Sequence, residues 1–220
     1  MRVYIDINLQ GSKLKQFIEF IKNISNSYSI ARDFNGSLPD DIMQRLNNEL
    51  KERFLQEDIE RREKYTKNPE YRKLLNDCLR ISNTEEAIEY FDNILSQEMQ
   101  MVDGSISFSG KDHRFETMCD ELIEVRYTRD TLVTRGGIFE VCYFSYGPML
   151  SEILLHMNSL FELPYRIESY QFMDLAFYNG NEVKLAICSH EQHAYMELNE
   201  EEFNEFLTLD IPYETECLNH

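Results

Sequence analysis

The chain has 220 residues, of which 42% are hydrophobic and 12% aromatic. This composition supports a packed core and argues against a disordered acidic tail. The formal net charge of −18 disfavours nonspecific binding to nucleic acid or anionic membranes, because both require basic surfaces. The five cysteines are scattered without a C-x-x-C pair, and the N-terminus lacks an apolar signal region. We therefore expect a soluble, cytoplasmic protein with reduced thiols.

The first part of the chain, residues 1–103, is predicted to be mainly helical after one N-terminal strand. Val3 and Ile5 alternate with polar neighbours, as in a half-buried strand, and Ser12 is a plausible N-cap for a helix. Residues 27–39 contain glycine and proline and are predicted to form a loop. Three further helices are expected at about 39–63, 69–81 and 84–95.

The second part, residues 104–220, is predicted to be an antiparallel α+β region. Asn179-Gly180 indicates a hairpin with a type I′ turn, and Asn199 with Glu202 forms a capping box that begins a last helix. A shorter helix is expected at 148–160. Strands are expected at 106–108, 122–127, 132–134, 138–146, 166–170, 175–178, 183–188 and 195–198. The predicted fold class is α+β, with a helical N-terminal half and a mostly antiparallel sheet in the C-terminal half, and the two parts could form one continuous domain.

Negative charge is concentrated near the C-terminus. The last 85 residues hold two basic residues, Arg166 and Lys184, against fifteen acidic ones. Such a field costs self-repulsion but accelerates encounter with a basic partner. Carboxylates beside tyrosines suit arginine and lysine, through bidentate pairs and cation–π contacts. The predicted binding residues are Glu197, Glu200, Glu201, Glu202, Glu205, Asp210, Tyr195 and Tyr213. The alternative is a favourable acidic helix start followed by a solvated tail.

No catalytic residue, metal ligand or cofactor is predicted. The chain has no glycine-rich phosphate loop, and Ser145-Tyr146-Gly147 lacks the G-x-S-x-G frame of a nucleophile elbow. His190 and His193 are three residues apart, whereas H-E-x-x-H places two histidines on one helical face. On a strand, residues at this spacing face opposite sides, so shared coordination would need a bulge or a turn. If such a bulge or turn is present, a metal-dependent hydrolase using His190 and His193 is an alternative hypothesis.

A C-terminal stretch resembles small bacterial immunity-type proteins. It comprises Phe177–Asn181, Lys184–Glu191 with its Ser-His-Glu turn, and Tyr195–Glu202 with its acidic helix start. The resemblance covers about 30 residues and implies a stoichiometric inhibitor of a toxin domain, often a cationic nuclease.

We therefore expect a non-enzymatic, acidic inhibitory protein that docks on a basic protein partner such as a nuclease toxin. It would contact neither nucleic acid nor membrane directly. A phage anti-defence protein that mimics nucleic acid would use the same physics and is an alternative. A third possibility is an adaptor whose acidic surface only keeps it dissolved.

Overall fold

The computed structural model describes residues 1–34, 36–67, 120–162, 165–167 and 170–215. Met1–Phe34 together with Gly110–His220 forms one compact unit, and Asn35–Ser109 forms a second. The predicted helices at 69–81 and 84–95, the strand at 106–108 and the boundary at 103–104 all lie outside the described residues.

The described residues contain four helices and nine strands. The helices are α1 (Gly11–Ile24), α2 (Asp40–Lys67), α3 (Pro148–Leu155) and α4 (Glu200–Leu207). The strands are β1 (Arg2–Ile5), β2 (Ser27–Asp33), β3 (Leu122–Asp130), β4 (Arg135–Ser145), β5 (Tyr165–Ile167), β6 (Tyr170–Asn179), β7 (Glu182–Cys188), β8 (His193–Glu197) and β9 (Glu214–Thr215). None of these helices is long and apolar enough to cross a lipid bilayer.

One antiparallel sheet joins strands from both ends of the chain. Its order is β3-β4-β2-β6-β7-β8-β1-β9, and β5 pairs with β6 outside this path. Four antiparallel steps separate β2 from β1, so these two strands run parallel and α1 connects them across the sheet.

The predicted helical N-terminal half is therefore wrong. The structure is dominated by its sheet, and β2 lies between β4 and β6, where a loop was predicted. Tyr28 and Ile30 face the main core, while Ser29 and Ala31 are buried on the other side. Because serine and alanine contribute little hydrophobicity, the alternation that identifies a strand is weak in this segment. The predicted N-terminal strand is present as β1, and it pairs with β8 near the C-terminus.

The main hydrophobic core lies between one face of the sheet and three helices. Phe17 and Ile21 of α1, Ile153 of α3 and Phe206 of α4 belong to the same buried cluster as residues of six strands. The helical spacing of the apolar residues in α1 explains why that face turns inward. The helix begins at Gly11, after Gln10, so the predicted Ser12 cap is wrong.

Two β-bulges redirect side chains. In β6, Asp174 and Leu175 together lie opposite Ile30, and Asp174 has a φ of 54°. In β7, Lys184 is the extra residue between Val183 and Leu185. A bulge breaks the two-residue alternation and so can re-aim a polar side chain out of an otherwise apolar strand.

The predicted hairpin between β6 and β7 is confirmed, with a different turn. Its two loop residues are Gly180 and Asn181, and of these only Gly180 has a positive φ, 59°. This pattern matches a type II′ turn rather than the predicted type I′ turn. The strand predicted at 132–134 is instead the connection between β3 and β4.

Candidate functional site

The last helix begins as its sequence predicts. The Asn199 side chain accepts a hydrogen bond of 2.9 Å from the backbone N–H of Glu202, and the Glu202 carboxylate accepts one of 2.9 Å from the backbone N–H of Asn199. This reciprocal capping box satisfies two helix-end donors. Three glutamates in the first turn also lie at the positive end of the helix dipole. Local sequence therefore determines where α4 starts.

Aromatic packing holds α4 on the core. Phe206 is fully buried, and its ring centroid lies 6.1 Å from that of Phe20 in α1. Tyr213 packs edge-on against Phe203 and Phe206, with centroid distances of 5.7 and 5.6 Å. The neighbouring Leu207, by contrast, is 44% exposed. The helix thus buries one narrow stripe and leaves the rest of its surface accessible.

A buried lysine neutralises one of the predicted binding residues. The Lys184 Nζ lies 2.9 Å from the Glu202 carboxylate and 3.2 Å from that of Glu182. The side chains of Lys184 and Glu202 are only 5% and 12% exposed. Burial acts to lower the pKa of Lys184, but the hydrogen bonds that Lys184 donates to the two carboxylates outweigh it and raise this pKa above its ordinary value. Glu202 is therefore a structural residue, committed to the cap and to this ion pair.

The segment after α4 is tied to α1. The Lys13 Nζ donates hydrogen bonds to the backbone carbonyls of Leu209 at 2.7 Å and Asp210 at 3.2 Å. Its distance to the Asp210 carboxylate is 3.7 Å, and that carboxylate is almost wholly exposed. A cation near the last carbonyls complements the negative end of the helix dipole. Asp210 therefore helps to hold this segment mainly through its backbone carbonyl.

Two more predicted binding residues are engaged at the sheet. The Arg2 guanidinium pairs with the Glu197 carboxylate and lies 4.9 Å from the centroid of the Tyr195 ring. Hydrogen bonding to Glu197 raises the pKa of Arg2 further above its ordinary value. These residues belong to the paired strands β1 and β8. Glu197 and Tyr195 thus have an intramolecular cation, which the sequence pattern did not reveal.

The remaining acidic residues on α4 are Glu200, Glu201 and Glu205, here called the acidic face. All three are exposed. Within the part of the chain that the structure describes, none of the three forms an ion pair. Glu201 and Glu205 are four residues apart and so lie on one side of the helix. The predicted binding set therefore divides into residues with contacts inside the chain and this exposed trio without an ion pair.

His190 lies in a tight turn between two strands, and His193 begins the second of these strands. β7 ends at Cys188 and β8 begins at His193, and Gln192 between them has a φ of 55°. The His190 ring nitrogens lie 3.5 and 3.6 Å from the Cys188 Sγ. Among the described residues, no group of mutually close metal-ligand atoms contains both histidines.

Asp174 and Cys188, which the sequence did not single out, lie close to His190. Ligand atoms of Asp174, Cys188 and His190 all lie within 4.8 Å of one another, and the same holds for Cys188, Glu191 and His193. The available signals were a carboxylate inside the apolar run Phe172–Phe177 and a cysteine two residues before a histidine. Neither signal is specific without the strand pairing that brings them together.

The comparisons with known proteins assign no family. No protein-family model matches the chain, and searches of curated proteins and of solved structures find no significant match. Function must therefore be argued from the residues.

Proposed function

We propose that this chain is a non-enzymatic binding protein that docks on a basic protein partner through the acidic face of α4. The observation that carries this proposal is the exposure of Glu200, Glu201 and Glu205 on a helix held at its cap, its buried stripe and the segment that follows it. A complementary cationic surface would supply the missing counter-charges and gain from electrostatic steering.

The anchoring of α4 also favours binding in another way. Association costs free energy when flexible groups become ordered at an interface. The capping box, the Phe206 contact and the Lys13 hydrogen bonds hold the backbone of α4 and its following segment in place. Only the glutamate side chains would lose freedom on binding. A fixed acidic helix is thus better suited to recognition than a frayed acidic tail.

The nature of the partner follows from charge and from the immunity-type resemblance. A nuclease toxin exposes lysine and arginine where it holds phosphates, and carboxylates can occupy that groove through charge-assisted hydrogen bonds. We propose an inhibitor of such a toxin, acting in the cytoplasm. A nucleic-acid mimic of phage origin would use the same acidic face against a defence nuclease.

Two triple variants with equal charge change test this proposal. Glu200→Lys, Glu201→Lys and Glu205→Lys reverse the acidic face, whereas the matched variant reverses exposed Glu49, Glu52 and Glu60 on α2. A basic protein captured from the source cells would be purified, and its association rate measured at low and raised salt. The acidic-face variant should associate at least about tenfold more slowly, because steering scales with local charge. The α2 variant should stay close to wild type.

The two variants also separate a docking site from a general charge effect. If both slowed association equally, net charge rather than the acidic face would govern binding. If neither changed the rate or its salt dependence, α4 would not be the contact surface. Circular dichroism of each variant would establish that the fold is retained.

A further inference from the structure

The turn between β7 and β8 and the bulge in β6 bring together three side chains of types that can serve as metal ligands. Asp174 belongs to β6, Cys188 ends β7, and His190 lies in the turn. A carboxylate oxygen, the thiol sulfur and an imidazole nitrogen lie within 4.8 Å of one another. We propose that Asp174, Cys188 and His190 form a binding site for a divalent transition metal ion of the zinc type.

The strongest support is the state of Asp174. This residue is 4% exposed, and its Oδ2 accepts a hydrogen bond of 2.5 Å from the Thr131 hydroxyl. Its Oδ1 is buried and has no hydrogen-bond partner among the described residues. A buried carboxylate oxygen without a partner costs free energy. A cation is the ligand that would satisfy it best.

The backbone at Asp174 points the same way. Its φ of 54° lies in the left-handed region that few residues other than glycine adopt, and it occurs here inside a bulge of a central strand. Bulges beside functional sites re-aim side chains, and unusual backbone conformations concentrate at ligand-binding positions. The bulge places the carboxylate close to Cys188 instead of leaving an apolar residue there.

The ligand chemistry and the spacing of Cys188 and His190 are compatible with a tetrahedral ion. With metal–ligand bonds of about 2.0–2.3 Å, ligands in a tetrahedral site are roughly 3.3–3.7 Å apart. The Cys188 sulfur lies 3.5 Å from Nδ1 and 3.6 Å from Nε2 of His190, and one of these two nitrogens would bind the ion after the ring turns. The His190 side chain is half exposed, so its ring can turn toward an ion without disturbing the core. One sulfur, one nitrogen and one oxygen ligand favour zinc over calcium or magnesium, which prefer oxygen alone.

The fourth ligand could come from the same turn. Glu191 and His193 both place ligand atoms within 4.8 Å of Cys188, and their side chains lie 3.6 Å apart. A water molecule could equally complete the site, as in zinc sites that keep one open position. The site differs from H-E-x-x-H, in which two histidines lie on one face of a helix. Here Asp174 and Cys188 come from neighbouring strands and His190 from a turn.

Cobalt and zinc titrations of the full-length chain test the proposal. After treatment with a chelator, one Co²⁺ per chain should bind and produce a sulfur-to-cobalt charge-transfer band, which excess Zn²⁺ should abolish. Cys188→Ala should remove the band. Asp174→Asn and His190→Gln should weaken binding by more than the roughly 10–100-fold typical of losing an outer hydrogen-bond partner.

Matched controls use the other described cysteine and an exposed histidine. Cys142→Ala and His156→Gln should leave both affinity and band unchanged, and so should reversal of the acidic face, which keeps this result separate from the proposed docking function. If Cys188→Ala does not fold, His190→Gln still decides, since that side chain is half exposed. Absence of a charge-transfer band in the wild type, or its persistence in Cys188→Ala, would overturn the proposal.

Discussion

The helices α2 and α4 handle their negative charge in opposite ways. Along α2, acidic and basic side chains alternate and pair one turn apart, as in Arg45–Glu49 at 2.7 Å and Arg53–Glu57 at 4.0 Å. In α4 no basic residue occurs, and among the described residues the one cation that pairs with its carboxylates is Lys184 of β7. The charge of α2 is balanced by basic residues of the same helix. The charge of α4 is balanced only in part, by a lysine from a neighbouring strand. The exposed acidic side chains are therefore largely balanced by basic neighbours along α2, whereas along α4 they are not.

This comparison predicts that α4 depends on its tertiary anchors far more than on its own side chains. The largest effect is expected for Phe206→Ala. Because Phe206 is fully buried, its truncation should lower the free energy of unfolding by roughly 3–5 kcal/mol. The adjacent Leu207→Ala, at a side chain that is 44% exposed, should change it by only about 0.5 kcal/mol. Urea unfolding followed by circular dichroism measures both, and equal losses would mean that α4 is not held by its inner stripe.

The next largest effect is expected at the buried ion pair. Lys184→Met leaves the nearly buried Glu202 carboxylate without its cation, which should cost about 3 kcal/mol. Adding Glu202→Gln should recover much of this loss, because the amide can still accept the capping hydrogen bond. Thermal unfolding of the single and double variants provides the measurement. A double variant no more stable than the single one would show that the charge of Glu202 is not the cause.

The stabilisation by this ion pair is expected to depend on alkaline pH. The pKa of Lys184 is raised above its ordinary value of 10.5. Its contribution to stability should therefore be complete below pH 10.5 and should be lost as the pH rises through the folded-state pKa. The difference in stability between wild type and Lys184→Met should shrink in that range. A difference that stays constant would argue against a charged lysine in the folded state.

A smaller effect is expected at the start of α4. Asn199→Ala removes the capping acceptor and should cost about 1 kcal/mol, whereas Asn199→Asp should be close to neutral because aspartate caps equally well. Hydrogen exchange of the Glu202 amide reports on the same bond, since that N–H donates to Asn199. Unchanged exchange in the alanine variant would exclude a stabilising cap.

The smallest effect is expected on α2. Arg45→Gln breaks a half-exposed pair between residues four apart and should change stability by about 0.5 kcal/mol or less. Added salt should reduce even this difference. A loss as large as that of Lys184→Met would remove the contrast between the two helices.

Parts of the fold could be read from neighbouring residues alone. The capping box at Asn199, the β6–β7 hairpin, β1 and the helix beginning at Asp40 all rest on patterns within a few residues. β2 was missed because its second face carries Ser29 and Ala31, so burial on both sides leaves little alternation to detect.

The location of the candidate site could be predicted from the sequence, but the residues that remain exposed there could not. The charge pattern drew attention to α4, yet it could not separate Glu202 and Glu197, which have internal cations, from Glu200, Glu201 and Glu205. The partner of Glu202 is Lys184, which lies at a bulge, and the partner of Glu197 is Arg2, which lies opposite it in a paired strand. Such contacts join residues up to 195 positions apart, and local patterns contain no information about them.

By itself, the sequence determined the excess of carboxylates near the C-terminus and the start of α4, because charge and helix capping depend on residues that are adjacent in the chain. The tertiary structure alone decided which carboxylates remain exposed, and it alone brought Asp174, Cys188 and His190 together. The physical reason is that strand register and a single inserted residue determine the direction of a side chain. Both are set by packing across the whole sheet.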